Sequence, residues 1–498
     1  MCEDKHPGGN MPQLREINGR KALYVHGKPF IILGLQMDCE DCFSAEYMDF
    51  LIASAAKIQC NSVSLLLYWK EIEPVEGVYD FAMLDHRIEQ ARKNGLKIVL
   101  VWFGSYKNAS LFYAPDYIKN DNDRFRKVVT ADGGVLNNFS CPTSENTHER
   151  DRLALIEVFR HLREVDAEEN TVVLFQMENE TGIFGSDRCY CDTCTKEFVE
   201  DGWVEKYGRK ASDSYSAFSI ARYCDTLAAS VKQIYPIPIY MNCWLLYEGR
   251  VELPGKHYPS GGPVADVLDI YRDTVKNIDF ISPDIYQHSY REFHSIARKY
   301  SWEGNPFYVA EHSSGKGGRA EKNVFYAVGE YSGIGFDPWA LDATWPNIFD
   351  EPLVNGIDGR LSEEAYELRD SYYLINNAMC QIARAQNTQN LRCFVQEEAE
   401  EWTKLDFGDV IVEIEYKSKN NRSRGMAVRL GEKEFLILAK TVSVRFYNNE
   451  GTPLPISPEK GRYEGETWKP RFLVKREYED YSVPLWITGC DLVKVKLF

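Results

Sequence analysis

The sequence has no hydrophobic run long enough to cross a membrane and no excess of positive charge. Of its 498 residues 44% are hydrophobic, yet no window reaches the roughly 20 apolar residues that a transmembrane helix needs. The formal net charge of −17 opposes binding to nucleic acid and to anionic membranes, because both carry negative charge. The first ten residues lack the basic and then apolar segments of a secretory signal. We therefore expect a cytoplasmic protein with neither a nucleic-acid nor a membrane partner.

The sequence also lacks a disulfide framework, internal repeats and low-complexity segments. Its 13 cysteines are odd in number and mostly lie in apolar runs, as Cys60 and Cys243 do, which indicates reduced thiols in a core. A chain of this length exceeds what one hydrophobic core usually organises. We expect one large domain and a smaller one.

Short apolar segments alternate with amphipathic stretches through the first three quarters of the chain. Eight such segments end in polar or aromatic residues, namely 31–36, 62–69, 96–104, 171–180, 237–244, 278–286, 306–312 and 332–339. The stretches between them, such as 45–58, 81–95, 150–165 and 214–234, have helical periodicity. Alternating strands and helices indicate a parallel sheet covered by helices, and strands that are apolar on both faces indicate a closed barrel. The pattern predicts an α/β fold with a (β/α)8 TIM barrel over 11–385.

The pattern changes after a helical stretch at 361–385. Segments that alternate apolar and polar residues follow at short spacing, namely 410–418, 425–431, 434–440, 442–448 and 492–498. Period-two alternation separated by turn residues is typical of antiparallel strands that have one buried face. We expect a smaller antiparallel β-sandwich domain over 386–498.

Acidic residues end the fourth and seventh predicted strands. The segment QMENE carries Glu178, Asn179 and Glu180, and YVAEH carries Glu311. Burying an unpaired carboxylate costs several kcal/mol, so acids at these positions are paired, functional or simply the first residues of the next loop. In a barrel the ends of strands four and seven face one pocket. Two carboxyl groups flanking one bond are what glycoside hydrolysis requires.

Several longer segments resemble a known group of enzymes. PFIILGLQ, NSVSLLLYWKEIEPVEGVYDF and VWFGSYKNASLFYAPDYIK are similar to β-galactosidases of glycoside hydrolase families 35 and 42. The last of these, with QMENETG and GMAVRLGEKEFLILA, is most similar to family 35-like members that carry a small appended β-domain. The resemblance covers nearly the whole chain.

The resemblance implies roles for the residues at the strand ends. Asn179 would hydrogen-bond the sugar 2-OH, Glu180 would be the acid/base and Glu311 the nucleophile of a retaining mechanism, while Glu178 would support them. Apolar surroundings and the charge of Glu311 would raise the pKa of Glu180, as the mechanism requires. Tyr286, at the end of strand six, is placed to hydrogen-bond the nucleophile.

Other polar and aromatic residues at strand ends are candidates for binding the sugar. Stacking walls would come from Trp69, Trp102, Trp244 and Trp339, and hydroxyl contacts from Glu71 and Asp38. Packing at the barrel mouth is an equally good interpretation for each tryptophan.

Four cysteines stand apart from those in the apolar runs. Cys189, Cys191 and Cys194 form a C-x-C-x2-C pattern just after Glu180, and Cys141 lies in the preceding loop. Four thiolates can form a closed tetrahedral zinc site, with free thiols or a disulfide as the alternatives. The resemblance favours structural zinc, because family 42 enzymes can carry a site built from the same two loops.

The sequence therefore predicts a retaining exo-β-glycosidase, with β-galactosidase as the first expectation for an oligosaccharide or glycoside substrate. Glucosides, mannosides, pentosides and uronides are the alternatives within this class. A non-catalytic carbohydrate-binding barrel is an alternative outside it. A phosphate-handling barrel is disfavoured, because the glycine-rich segment 315–319 lacks P-loop spacing. The long insertions 104–150 and 181–213 predict a closed pocket or the interface of a homo-oligomer.

Overall fold

The structure is a computed structural model of the chain. It describes residues 11–37, 44–287, 289–315, 317–342, 352–355, 358–398, 400–473 and 483–498. Among the helices of these residues, none is both long and apolar enough to cross a bilayer.

The first part of the chain begins with a small antiparallel sheet, which parallel strands follow. The strands of this part are β1 (Gln13–Ile17), β2 (Arg20–Val25), β3 (Lys28–Pro29), β4 (Ile32–Leu33), β5 (Ser62–Tyr68), β6 (Lys97–Phe103), β7 (Lys127–Val129), β8 (Val135–Ser140), β9 (Val172–Gln176), β10 (Ile239–Cys243), β11 (Phe280–Ile285), β12 (Tyr308–Val309), β13 (Glu311–His312) and β14 (Gly335–Phe336). All eight predicted apolar segments contain a strand. The seventh is interrupted at Ala310, between β12 and β13.

Helices cover the parallel strands. They are α1 (Ala45–Lys57), α2 (Trp69–Ile72), α3 (Ala82–Lys93), α4 (Asp116–Lys119), α5 (Glu145–Asp166), α6 (Asp192–Glu200), α7 (Trp203–Tyr207), α8 (Ala211–Lys232), α9 (Leu268–Thr274), α10 (Tyr290–Tyr300), α11 (Ala320–Phe325), α12 (Glu363–Asn376) and α13 (Met379–Ala385). The predicted helices are confirmed, except that the stretch 361–385 forms two. Serine caps set three of the starts, because Ser44, Ser289 and Ser362 each accept the backbone N–H three residues on.

The parallel sheet curls until its edges meet. Its strands run in the order β13-β11-β10-β9-β6-β5, and a second run has the order β12-β14-β4. Single parallel bridges join the two runs, from Gln36 to Ser64 and to Trp339, and from Ser313 to Trp339. The carboxyl ends of the strands therefore lie together at one end of the curled sheet.

The other end of the curled sheet is filled by apolar and aromatic side chains. One buried cluster contains Tyr240, Phe280 and Tyr308 from three strands, together with Leu23 and Val25 of the N-terminal hairpin. The hairpin therefore packs against the amino-terminal end of the parallel strands. Its position leaves the carboxyl-terminal end as the end where a site can form.

The C-terminal region is antiparallel, as the sequence predicted. Its strands are β15 (Leu391–Val395), β16 (Trp402–Asp406), β17 (Val410–Tyr416), β18 (Arg424–Gly431), β19 (Glu434–Asn448), β20 (Ile456–Glu464), β21 (Thr467–Leu473) and β22 (Leu485–Leu497), which pair into one connected sheet. The segments 434–440 and 442–448, which we expected as two strands, form the single strand β19. Its register shifts between Lys440 and Val442, and Thr441 has a φ of 53°.

The two faces of this sheet have different partners. Met426 and Leu438 belong to the large core of the α/β region, whereas Ala427 and Ile437, one position along, belong to a separate core within the sheet. Alternate residues of a strand point to opposite faces. One face therefore packs against the α/β region, where β18, β19 and β22 contact α12 and α13.

Candidate active site

Three carboxyl groups meet at the carboxyl ends of the parallel strands. Glu180 lies just beyond β9, Asp284 lies in β11 and Glu311 lies in β13. One carboxylate oxygen from each lies within 4.8 Å of the other two, and all three residues are buried. At an effective dielectric constant of about 20, two unit charges at this separation repel by about 3 kcal/mol. Ionising all three groups together is therefore costly.

The protonation of Asp284 reflects this crowding. Burial raises the pKa of the Asp284 carboxyl well above its usual range, and the charges of Glu311 and Glu180 raise it further. Asn242 opposes the shift by donating a hydrogen bond to Asp284. The raised pKa favours the protonated form of the Asp284 carboxyl.

The amide of Asn242, in the central strand β10, contacts all three residues that carry these carboxyl groups. Its Nδ2 donates to Asp284 Oδ2 at 2.8 Å, and it lies 3.0 Å from Asn179 Oδ1 and 3.4 Å from Glu311 Oε1. Its Oδ1 accepts the backbone N–H of Glu180 at 2.9 Å. One side chain therefore orients groups that come from three other strand ends.

Tyr286 lies beside Glu311, where the sequence predicted it. The Tyr286 hydroxyl donates to Glu311 Oε2 at 2.7 Å. Burial and the charge of Glu311 raise the pKa of Tyr286 well above its usual range, so the hydroxyl keeps its proton and remains a donor. Hydrogen bonds to an ionised carboxylate favour its charged form. This contact suits Glu311 to a role as a charged nucleophile.

The turn that carries Glu180 is strained and firmly held. Glu178 and Glu180 have φ angles of 62° and 44°, a left-handed conformation that costs non-glycine residues roughly 1–2 kcal/mol each. The Glu178 carboxylate accepts the backbone N–H groups of Gly104, Ser105 and Tyr106 at 2.8–3.1 Å. Glu178 therefore ties this turn to the loop after β6 and supports Glu180 without reaching the other two carboxyl groups.

Asn179 is held from both sides. Gln176 Nε2 donates to Asn179 Oδ1 at 2.9 Å, and Asn179 Nδ2 donates to Asn108 Oδ1 at 3.0 Å. The amide is thus fixed beside Glu180 and Asn242. Its expected contact with a sugar hydroxyl stays a prediction.

The structure does not bring Trp69 and Trp102 into the inner face of the curled sheet. Trp102 belongs to the core between strands and helices, and its Nε1 donates to the buried Asp151 at 3.0 Å. Trp69 belongs to the same core, and its Nε1 donates to Glu73 at 2.9 Å. Both are fully buried, so packing, the alternative interpretation, fits these two residues better than sugar stacking.

The inner face carries the neighbours of these tryptophans instead. Tyr68 and Phe103, each one residue away, cluster with Tyr113. Strands buried on both faces give no sequence signal for which alternate residues point inward. A phase error of one residue moves the side chain to the opposite face.

The remaining predicted sugar contacts differ in position. Trp339 packs edge to face against Tyr286 with ring centroids 6.4 Å apart, and the half-buried Trp244 packs against Phe184 at 5.8 Å. Trp339 is therefore placed near Glu311, which Tyr286 contacts, whereas Trp244 contacts the loop that follows Glu180. Glu71 pairs with Arg87 on α3 at 2.9 Å, so its carboxylate has a structural partner. Asp38 lies outside the described residues.

The four cysteines of the second motif form one cluster. Cys141 Sγ lies 3.6 Å from Cys189 Sγ and 3.7 Å from the sulfur atoms of Cys191 and Cys194. A disulfide needs about 2.05 Å, so the disulfide alternative does not fit these three pairs. A zinc ion with Zn–S bonds of about 2.3 Å holds its four sulfur atoms about 3.8 Å apart. The spacing therefore fits a metal ion bound by four thiolates.

Asp284 and Asn242 were not among the predicted site residues. Each is a polar residue inside an otherwise apolar strand segment, IDFISPDIY and IPIYMNCW, and lies two positions before Tyr286 or Trp244. Residues two apart on a strand share a face. A buried polar residue in phase with a predicted site residue was the signal that could have identified them.

Comparisons with known proteins agree with the geometry. The family model described as Glyco_hydro_42, beta-galactosidase, matches residues 43–214. A model described as a domain of unknown function, DUF5597, matches residues 368–474. The first match includes the turn that carries Glu180, and the second covers most of the C-terminal sheet.

Curated relatives and solved structures point to the same group. The β-galactosidase LacZ of Heyndrickxia coagulans is 24% identical over 303 residues, which are 55% of this chain and 44% of that protein. The β-galactosidase LacA of Lactobacillus acidophilus is 31% identical over 151 residues, 30% of this chain and 20% of that protein. These matches span less than half of each relative's length.

The fold comparison covers more of the chain. The crystal structure of a β-galactosidase from Bacillus circulans sp. alkalophilus matches with a TM-score of 0.53 and 14% identity, over 71% of this chain and 57% of that one. A β-galactosidase structure from Rahnella sp. R3 matches with a TM-score of 0.52 and 15% identity, over the same shares. In sequence and fold the chain therefore resembles β-galactosidase-like glycoside hydrolases, which confirms the resemblance carried by its motifs.

Proposed function

We propose that this protein is a retaining exo-β-glycosidase that acts on oligosaccharides or glycosides, with β-galactosides as the first candidate substrates. The observation that carries the proposal is the separation of Glu180 and Glu311, whose nearest carboxylate oxygens lie within 4.8 Å. Retaining enzymes hold their two carboxyl groups about 5–5.5 Å apart, whereas inverting enzymes need about 6.5–9.5 Å to admit a water molecule. The separation here supports direct attack by a carboxylate.

The two glutamates would act in succession. In the first step Glu311 attacks the anomeric carbon while Glu180 gives its proton to the glycosidic oxygen, which breaks the bond to the leaving group. In the second step Glu180 takes a proton from water, whose oxygen then displaces Glu311 from the sugar. The hydroxyl of Tyr286 would hold Glu311 in its ionised form, and Asn179 would hold the sugar 2-OH.

The sugar is tested by hydrolysis of a set of nitrophenyl glycosides. The wild-type protein and Glu311→Gln are compared on the β-galactoside, β-glucoside, β-mannoside, β-xyloside, α-arabinoside and β-glucuronide. We expect turnover of one glycoside, reduced in Glu311→Gln by roughly 10⁴-fold or more because the nucleophile is lost. NMR of the first product formed should show the anomer of the substrate.

A matched substitution controls for the loss of one negative charge. Glu200 on α6 is exposed, and Glu200→Gln should keep the wild-type rate. No turnover of any glycoside or oligosaccharide by the folded wild-type protein would reject the enzyme. Calorimetric binding of a sugar without turnover would instead favour the non-catalytic carbohydrate-binding barrel.

We also propose that Cys141, Cys189, Cys191 and Cys194 hold a structural zinc ion. All four are buried, and Cys189 accepts the backbone N–H of Val129 at 3.5 Å. Four thiolates leave no position open for a substrate, so zinc would brace the two loops and take no part in hydrolysis. Four reduced thiols also suit the cytoplasmic setting that we expect from the sequence.

Metal analysis of the purified protein tests this site. We expect about one zinc per chain, lost in Cys194→Ser together with part of the resistance to thermal unfolding. Cys224→Ser, at a buried cysteine outside the cluster, is the control and should keep the metal. A wild-type protein that binds no zinc when it is supplied would exclude the site.

The division of the chain remains a proposal as well. We propose a (β/α)8 TIM barrel over 11–385 and a β-sandwich domain over 386–498. The C-terminal sheet supports this division, because the side chains on one of its faces form a buried core separate from that of the α/β region. A homo-oligomer, which the long loops suggested, is tested by light scattering.

A further inference from the structure

Asp284 lies at the floor of the candidate active site. It shares the inner face of β11 with Tyr286, because the two are separated by two positions. Only 2% of its surface is exposed. A substrate held between Glu180 and Glu311 would therefore lie above Asp284, which acts on the reaction through its neighbours.

One oxygen of Asp284 has a donor and the other has none. Oδ2 accepts from Asn242 Nδ2 at 2.8 Å, but Oδ1 is buried and no described residue donates a hydrogen bond to it. A carboxyl oxygen of Glu180 lies within 4.8 Å of one of Asp284, and a side-chain hydrogen bond with Glu180 contributes to the raised pKa of Asp284. Two carboxyl groups can form a hydrogen bond only if one of them carries a proton. A buried ionised oxygen without a donor would be expensive.

Among the described residues, the groups that act most strongly on Asp284 include no cation that would compensate its charge. The two charged side chains that act on it most strongly are Glu311 and Glu180, both carboxylates. The other titratable groups that respond to its charge are neutral when protonated, namely Tyr240 and Cys243 of β10, Tyr286 of β11 and Tyr300 of α10. Burial favours the neutral form of each of these groups as well.

We propose that Asp284 is a positioning residue that remains protonated throughout the reaction and donates its hydrogen to Glu180. The proposal rests on the role of Glu180 as acid/base. Glu311 has a close donor in Tyr286 at 2.7 Å, and the side-chain hydrogen bond of Asp284 that raises its pKa is with Glu180. Glu180 is therefore the carboxyl group to which the Asp284 hydrogen would be directed.

This hydrogen bond would matter most when Glu180 becomes charged. In the first step the Glu180 proton moves to the leaving oxygen as the glycosidic bond breaks, and Glu180 is left as a carboxylate. Asp284 keeps its own proton and donates to that carboxylate, which stabilises the developing charge. In the second step Glu180 regains a proton from water. The reaction consumes no proton from Asp284.

Two substitutions separate this role from a structural one. Asp284→Asn keeps the size, a donor and the neutral state, whereas Asp284→Leu keeps the approximate size and removes the donor. Each is measured with the glycoside that the wild type hydrolyses, across pH, with a good and a poor leaving group. We expect Asp284→Asn to stay within about fivefold of the wild-type kcat/KM, with both limbs of the pH profile unchanged.

Asp284→Leu should behave differently. We expect a loss of about 100-fold with the poor leaving group and a smaller loss with nitrophenol, because general acid catalysis matters less for a good leaving group. The basic limb should move to higher pH, since Glu180 would lose a donor that stabilises its anion. If Asp284 were instead ionised, both substitutions would remove a negative charge and move the basic limb to lower pH. That result would overturn the proposal, as would a folded Asp284→Asn that loses activity 100-fold.

A stability measurement tests the protonation without turnover. A carboxyl group that keeps its proton only in the folded state contributes stability at low pH and loses it as the pH rises. Urea unfolding of the full chain should therefore show the wild type losing stability relative to Asp284→Asn between pH 4 and 8. A constant difference would mean that Asp284 does not hold a raised pKa. If the glycoside screen failed while the difference in unfolding free energy between the wild type and Asp284→Asn still changed with pH, only the enzymatic proposal would be rejected.

Discussion

The carboxyl groups at the carboxyl-terminal end of the curled sheet are buried, and Glu367 on α12 is 13% exposed, but their neighbours differ. Glu367 lies where α12 packs against the C-terminal sheet, and its carboxylate has Arg424 at 2.9 Å, Lys440 at 2.6 Å and Arg422 at 3.0 Å. Burial alone would raise the pKa of Glu367, yet Arg424 and Lys440 lower it to about 2. Asp284, beside Glu180 and Glu311, shifts in the opposite direction.

The difference shows how the same residue type serves two purposes. Three cations around one carboxylate fix its charge, so Glu367 holds two regions of the chain together. Several carboxyl groups close together, with tyrosine and amide donors, favour protonation of some of their members, which suits groups that exchange protons in a reaction. If this contrast is correct, substitution of Glu367 should impair stability, and substitution of the carboxyl groups at the candidate active site should impair turnover.

After the loss of the nucleophile Glu311, the largest effect is expected at Glu180. Glu180→Gln removes the proton donor and should lower kcat/KM for a poor leaving group by roughly 10³-fold, within the range for general acid catalysis. The loss with a nitrophenyl leaving group should be smaller. Urea unfolding should show no loss of stability, because the substitution removes a carboxyl group from a crowded set. A folded Glu180→Gln with wild-type rates for both leaving groups would contradict the assignment.

The sequence predicted the parts of this site that are coded locally. Glu180, Glu311 and the cysteine loop stand in short motifs, so their chemistry could be inferred from neighbouring residues. Asp284 and Asn242 could not be inferred in this way, because their roles depend on three strand ends meeting when the sheet curls. Trp102 was a candidate for sugar stacking, with packing as the alternative, because doubly buried strands lack the alternating pattern that would show which face it occupies. Likewise, the cations around Glu367 come from residues more than 50 positions away in the sequence.

The next effect is expected at Glu367. Glu367→Gln leaves buried Arg424 without its charged partner, and breaking a buried ion pair in this way costs about 3 kcal/mol or more. The rate per folded molecule should stay at the wild-type value. Because the folded pKa is lowered, the stability supplied by this carboxylate is present above about pH 4.5 and is lost as the pH falls towards about 2. Urea unfolding of the wild type and Glu367→Gln at pH 7 and at pH 3 measures both the loss of stability and its dependence on pH.

The exposed Glu363 offers a matched control for that substitution. It also pairs with Arg422, at 2.6 Å, but its side chain is 67% exposed. Exposed pairs contribute little, so Glu363→Gln should change the free energy of unfolding by less than about 1 kcal/mol. Equal losses from the two substitutions would show that burial does not distinguish them.

The smallest effect is expected at Asp337, inside the curled sheet. Burial raises the pKa of Asp337 to about 7, although hydrogen bonds from Ser64 and Tyr308 oppose the shift. A raised carboxyl pKa supplies stability that is fully present below about pH 4 and is lost as the pH rises through about 7. The wild type should therefore lose about 2 kcal/mol relative to Asp337→Asn between pH 5 and pH 7. If the difference in unfolding free energy between the wild type and Asp337→Asn did not change with pH, Asp337 would be ionised despite its burial. A buried carboxylate in this sheet would then keep its charge without a neighbouring cation.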